Sequence, residues 1–242
     1  MSNYIYETAK EEKKTSLLSQ TFGWVFVGLL ITSIISISLA FMFNYFLVNA
    51  ASEAAAASLM GTYLVVLGVA SVVQIVLMFV IQFGVIRKGP TEKNIQVPYL
   101  LYTGTMGVVL SFLVLFVAFD VLASSLAITV LLFGLMYLFA RQTKRNLNGL
   151  AIVGGSLLMG SFILMLVNIF LQSSQLDWIL SFVLFGAIML ITLFDIWKVS
   201  KASEAGVTSK NLALFFAFQL YVDFVYIFIR IVYFITIARN RR

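Results

Sequence analysis

The sequence predicts an all-α membrane protein of seven transmembrane helices, and three observations carry that expectation. Of its 242 residues, 62% are hydrophobic and 11% are charged, whereas a soluble domain averages about 45–50% apolar and about 25% charged. Charged residues cut the chain into uncharged stretches at 15–52, 54–86, 94–119, 121–140, 146–176 and 178–194, and a seventh apolar stretch, 211–237, holds only Asp223 and Arg230. A helix needs about 20 apolar residues to cross the hydrocarbon core. Each stretch supplies that, the sixth by running past its first charge. Third, the basic residues fall in alternate loops.

The first run is longer than a signal-peptide core of about 7–15 residues, and ETAKEEKKT precedes it, so it reads as a retained span. NAASEAAAAS reads as the longest outer loop, partly helical. Gly89 and Pro90 mark the turn after span two, and Pro98 fits the first turn of span three, where a missing amide proton costs little. Thr103 and Gly107, with Gly154, Gly155, Ser156 and Gly160 in GGSLLMG, are small residues that let helices approach closely. No Lys-Ser/Thr follows those glycines, so they are not a phosphate loop. Spans six and seven follow. The chain divides into a cytoplasmic amino-terminal segment (1–16), one seven-helix domain (17–238) and a basic tail (239–242).

Lys10, Lys13 and Lys14 precede span one, Arg87, Lys88 and Lys93 follow span two, Arg141, Lys144 and Arg145 follow span four, and Lys198, Lys201 and Lys210 follow span six. The alternate loops carry only Glu53, Asp120 and Asp177. By the positive-inside rule the amino terminus is cytoplasmic in a multi-pass protein of the cell membrane. The net charge of +6 therefore reports topology and no nucleic-acid partner. Seven spans leave the tail RNRR outside. A full seventh span is favoured over a re-entrant segment.

The chain has no Cys and no His, which removes thiolate and imidazole chemistry. No nucleophile–base pair or metal-ligand cluster emerges, and the Gly-x-Gly-Asp element of an intramembrane aspartyl protease is missing, so the expectation is a non-enzyme without cofactor. What stands out is Asp195 in LITLFDIWKVSK and Asp223 in QLYVDFVYIFIRIVYF. A charge at the bilayer centre costs about 2.5–3.5 kcal/mol on insertion scales, and such groups usually line an interior or water path. The break signal EAGVTS lies near position 209, midway between them, with Gly206 as terminator and Thr208 or Ser209 as the next cap. A hairpin turning there sets both carboxylates about 15–20 Å from its tip.

Gln219, Asp223, Tyr226, Arg230 and Tyr233 fall on one helical stripe, and Thr192 shares the face of Asp195. The expected result is a polar axis surrounded by the other spans, with Gln219, Tyr226, Arg230 and Thr192 as pore-lining candidates. Two close carboxylates in a low-dielectric site do not readily both ionise, so the pair holds a proton. Ionised, it attracts a cation. Two carboxylates supply at most four of the six to eight oxygens calcium prefers, which favours a weak, transient site at Asp195 and Asp223.

LFDIWKVSK and LYVDFVYIFIRIVYF resemble the two aspartate elements of the Bax inhibitor-1, or transmembrane Bax inhibitor motif, family and its bacterial members. The resemblance implies a bundle around a central seventh helix and a pH-dependent calcium leak through the bilayer. It also implies a paired-aspartate sensor at Asp195 and Asp223, with Arg87 engaging one aspartate in part of the cycle. Phe194 stands where the motif has tyrosine and Tyr226 where it has asparagine, and Arg230 lies a turn earlier than the arginine usual near the end of the last helix. Two other functions stay open. One is an interaction protein modulating a membrane-bound protease through Glu7 to Lys14; the other is a proton-coupled cation exchanger.

Overall fold

A computed structural model describes residues 16–240, leaving aside the side chains of 92–94 and 240. The amino-terminal segment up to residue 15, and Arg241 and Arg242 of the basic tail, lie outside the described residues. Seven helices account for nearly all the rest: α1 (Leu17–Val48), α2 (Glu53–Lys88), α3 (Glu92–Phe116), α4 (Phe119–Gln142), α5 (Asn148–Leu171), α6 (Ser174–Glu204) and α7 (Lys210–Asn240). All seven are long and apolar enough to cross a membrane. Helices satisfy their own backbone hydrogen bonds, which hydrocarbon cannot do for them.

Local chemistry sets the ends. Ser16 and Ser52 accept hydrogen bonds from the amides of Ser19 and Ala55, each at 3.2 Å, and so cap α1 and α2. NAASEAAAAS is therefore mostly the first turns of α2, with the loop reduced to 49–52, because a serine cap ahead of an alanine run favours helix over coil. Gly89 ends α2 in the left-handed region at φ 71°. α3 begins at Glu92, so Pro98 lies in its second turn, not its first, and removes one backbone hydrogen bond there.

α7 is the centre of the bundle, packed by α1, α3, α4 and α6. In its most apolar window 56% of residues are buried, against 11% in α2 and in α5, which lean chiefly on α3 and α6 respectively. A hydroxyl network ties α1, α3 and α7. Thr32 shares a hydrogen bond with Tyr221 at 2.5 Å and donates to the carbonyl of Thr103 at 2.9 Å, and Tyr99 donates to the carbonyl of Trp24 at 2.7 Å.

The last helix is an unbroken span. α4 ends beside the α6–α7 turn, where Arg141, Ser203 and Glu204 line one cavity. Its first turn, at the far end, holds Asp120, which Arg239 near the end of α7 meets at 2.7 Å. Asp177 accepts a hydrogen bond from Asn168 at 2.5 Å, joining α5 to α6 at that same far end.

α1 and α3 approach closely at Gly107, where an added Cβ would lie 2.7 Å from Ile35 Cβ and 2.9 Å from the backbone oxygen of Thr32. Gly107→Ala is expected to lose about 1–3 kcal/mol of stability by overpacking. Gly104→Ala, whose nearest neighbour would be 3.7 Å away, is expected to leave stability unchanged or slightly raised. Thermal unfolding of the two variants in detergent checks the contrast.

Candidate functional site

The site is built on the α6–α7 hairpin. α6 ends at Glu204, Gly206 turns the chain at φ 78°, and Ser209 starts α7 by accepting from the amide of Leu212 at 3.4 Å. From these ends Asp195 is about 14 Å and Asp223 about 20 Å along its helix at 1.5 Å per residue. The two depths overlap within the reach of side chains.

Asp195 is only 7% exposed, and Thr192, one turn before it, is fully buried. The Thr192 hydroxyl donates to the carbonyl of Ile188 at 2.8 Å and also lies beside the Asp223 carboxyl. The Asp195 carboxyl in turn acts on Asp223 through its charge. Asp223 Oδ2 is enclosed and has no hydrogen-bond partner among the described residues. Gln219 Oε1, one turn nearer the hairpin tip, is in the same condition. Hydrogen-bonding capacity therefore accumulates along this face without being spent. Buried polar groups in that state usually hold water.

The remaining stripe residues mark a seam. Tyr226 lies within electrostatic reach of Tyr102 on α3, whereas Arg230 donates to Ser181 on α6 at 3.4 Å. α3 and α6 are not among the packed helix pairs. The stripe thus runs between them, and Tyr226 and Tyr233 are 43% and 36% exposed. The polar axis expected to be surrounded by the other spans is open along one side, because α2 leans on α3 without reaching α6. Arg230 neither points free of the bundle nor forms an ion pair among the described residues. It is half-buried and bonded to α6.

Arg87 is exposed in the last turn of α2, and no ion pair joins it to either aspartate among the described residues. The cation that does act on Asp195 is Lys198, whose Nζ sits 5.2 Å from the ring centre of Phe216 and 6.0 Å from that of Phe194. In sequence Lys198 reads only as a topology signal. Its three-residue spacing from Asp195, which shares a helix face, is the clue that identifies it.

The chain is similar to known proteins over nearly its whole length. A family model described as inhibitor of apoptosis-promoting Bax1 matches residues 14–240. The inner membrane protein YbhL of Escherichia coli (strain K12) is 30% identical over 232 residues, covering 93% of this chain and 92% of that one. An uncharacterised protein, YrjE, of Lactococcus lactis (strain IL1403) is 25% identical over 249 residues, covering 100% and 98%. Another uncharacterised protein, RP147 of Rickettsia prowazekii (strain Madrid E), is 30% identical over 156 residues, covering 62% and 64%.

The hairpin turn holds the two carboxyls in register. Gly206→Ala places a Cβ in the left-handed region and is expected to cost about 1–2 kcal/mol. A matching fall in the thermal unfolding midpoint, with Ala205→Gly nearly neutral as a control, is the measurement.

Proposed function

Because the chain belongs to the Bax inhibitor-1 family of membrane proteins, we propose that it is a pH-sensitive cation leak, for calcium above all, switched by Asp195 and Asp223. The observation that carries this reading is the enclosed, unpartnered Oδ2 of Asp223 in the field of Asp195. With a proton held between them, the carboxyls draw α6 and α7 together and the path is shut. When both ionise they repel each other, and the pair becomes a cation site.

Lys198 acts on Asp195 from the same helix, Tyr226 and Arg230 interact farther along the α7 stripe, and Tyr102 of α3 comes within electrostatic reach of Tyr226 and Tyr221. Two carboxylates and Gln219 Oε1 give calcium at most five oxygens, short of the six to eight it prefers, so the ion is passed on and not stored. The half-open seam between α3 and α6 supplies the route, and Arg87 enters the cycle only by a movement of α2. This makes the chain a conduit and not an enzyme. Modulation of a membrane-bound protease would depend on Glu7 to Lys14, which lie outside the described residues.

The test is calcium entry into liposomes loaded with an indicator dye, across pH 6 to 8. Wild-type flux is expected to rise several-fold as pH rises, because ionisation opens the pair, and the Asp195→Asn, Asp223→Asn double variant is expected to be flat. Equal flux with an equal pH response in both proteins overturns the reading. Flux that tracks an imposed proton gradient assigns the same pair to cation–proton exchange.

A further inference from the structure

A groove of about 630 Å³ runs between α1 and α4, away from the carboxyl pair, with Phe224 of α7 among the residues that line it. Its volume lies in the usual range of ligand pockets, about 300–1,000 Å³. α1 and α4 touch here through Phe22 and Tyr137, whose ring centres are 5.8 Å apart. Beyond that contact the walls are apolar. Gly134 leaves a gap, since a Cβ there would meet nothing within 4 Å.

At its cytoplasmic end the groove continues into a second cavity of about 350 Å³, sharing Ser16, Leu18 and Tyr137 with it. The chemistry changes there. Arg141 lines this mouth and has no carboxylate partner among the described residues, while the neighbouring Glu204 is already paired with Lys201 at 2.7 Å. Ser200 also lines it, is 3% exposed, and has an Oγ with no hydrogen-bond partner. A buried hydroxyl without a partner costs free energy unless something completes it. Ser16, at the amino-terminal end of α1, adds the positive end of a helix dipole.

We propose that this groove binds one anionic phospholipid, with an acyl chain along Phe22, Gly134 and Phe224 and the phosphate at Arg141, Ser16 and Ser200. An apolar slot at membrane depth that ends, among the described residues, in a guanidinium without a carboxylate partner and an unbonded hydroxyl at the cytoplasmic boundary matches both halves of such a lipid. Basic pockets between spans on that side are where anionic headgroups are held. The site is independent of the role assigned to Asp195 and Asp223.

The experiment uses the full chain in nanodiscs containing equal phosphatidylglycerol and phosphatidylcholine, with retained lipid read by native mass spectrometry. Wild type is expected to keep one phosphatidylglycerol with several-fold preference over phosphatidylcholine. Arg141→Gln is expected to abolish that preference, Gly134→Leu to lower retention of both lipids, and Arg145→Gln, outside the mouth, to change neither. No preference in wild type, or an unchanged preference in Arg141→Gln, overturns the proposal. The chain has no cysteine, so a Thr8→Cys, Gly134→Cys protein reports the competing occupant. Disulfide formation in high yield assigns the groove to the amino-terminal segment and also overturns the proposal.

Discussion

The face of α7 that carries Gln219, Asp223 and Arg230 is costly to expose to lipid, because hydrocarbon neither solvates a charge nor completes a hydrogen bond. That constraint organises the bundle. α1, α3, α4 and α6 cover α7, and α2 and α5 are left at the perimeter, where their surfaces meet lipid at no cost. The same constraint explains why hydroxyls rather than charges join α1, α3 and α7. Thr32, Tyr99 and Tyr221 stay neutral and each finds a partner, whereas one oxygen of Asp223 does not.

The architecture was largely legible in the sequence, because charges in an apolar chain act as punctuation. Six uncharged stretches and a seventh holding only Asp223 and Arg230 became seven helices, and the break near position 209 is the observed turn. Boundaries were less legible where propensity and capping compete with composition, as at Ser52 and at Glu92 ahead of Pro98. The juxtaposition of span six with span seven followed from counting residues along one hairpin, a local argument. The partners of that hairpin did not. Whether α2 reaches α6 depends on contacts between elements far apart in the chain, and no spacing rule encodes them. The open side of the stripe, and the lack of an ion pair between Arg87 and either aspartate among the described residues, are therefore visible only in the structure. Lys198 is hard to read for another reason: a lysine at a span end carries two meanings, and the topological one masks the electrostatic one.

The two ends of the molecule are chemically unequal. Among the described residues at the hairpin end, Lys198 sits against aromatic rings as well as near Asp195, and Arg141 is held by a phenol. At the other end Arg239 is matched by Asp120, so a basic residue on the side disfavoured by the positive-inside rule is partly neutralised. Exposed pairs of this kind contribute about 0–1 kcal/mol. Their effect is on local charge more than on stability.

Chain order gives the central position of α7 a consequence for synthesis. The helix about which the others close follows all six of them in the chain. Until it arrives, Asp195, Thr192 and Thr32 stand in the bilayer without the surface that covers them. Domains generally assemble from the amino-terminal end during translation, but here six inserted helices must wait. The neighbouring pairs α2–α3 and α5–α6 can form early, since each packs within itself. The polar interior exists only once α7 has been made, and a chain truncated before α7 leaves it facing lipid.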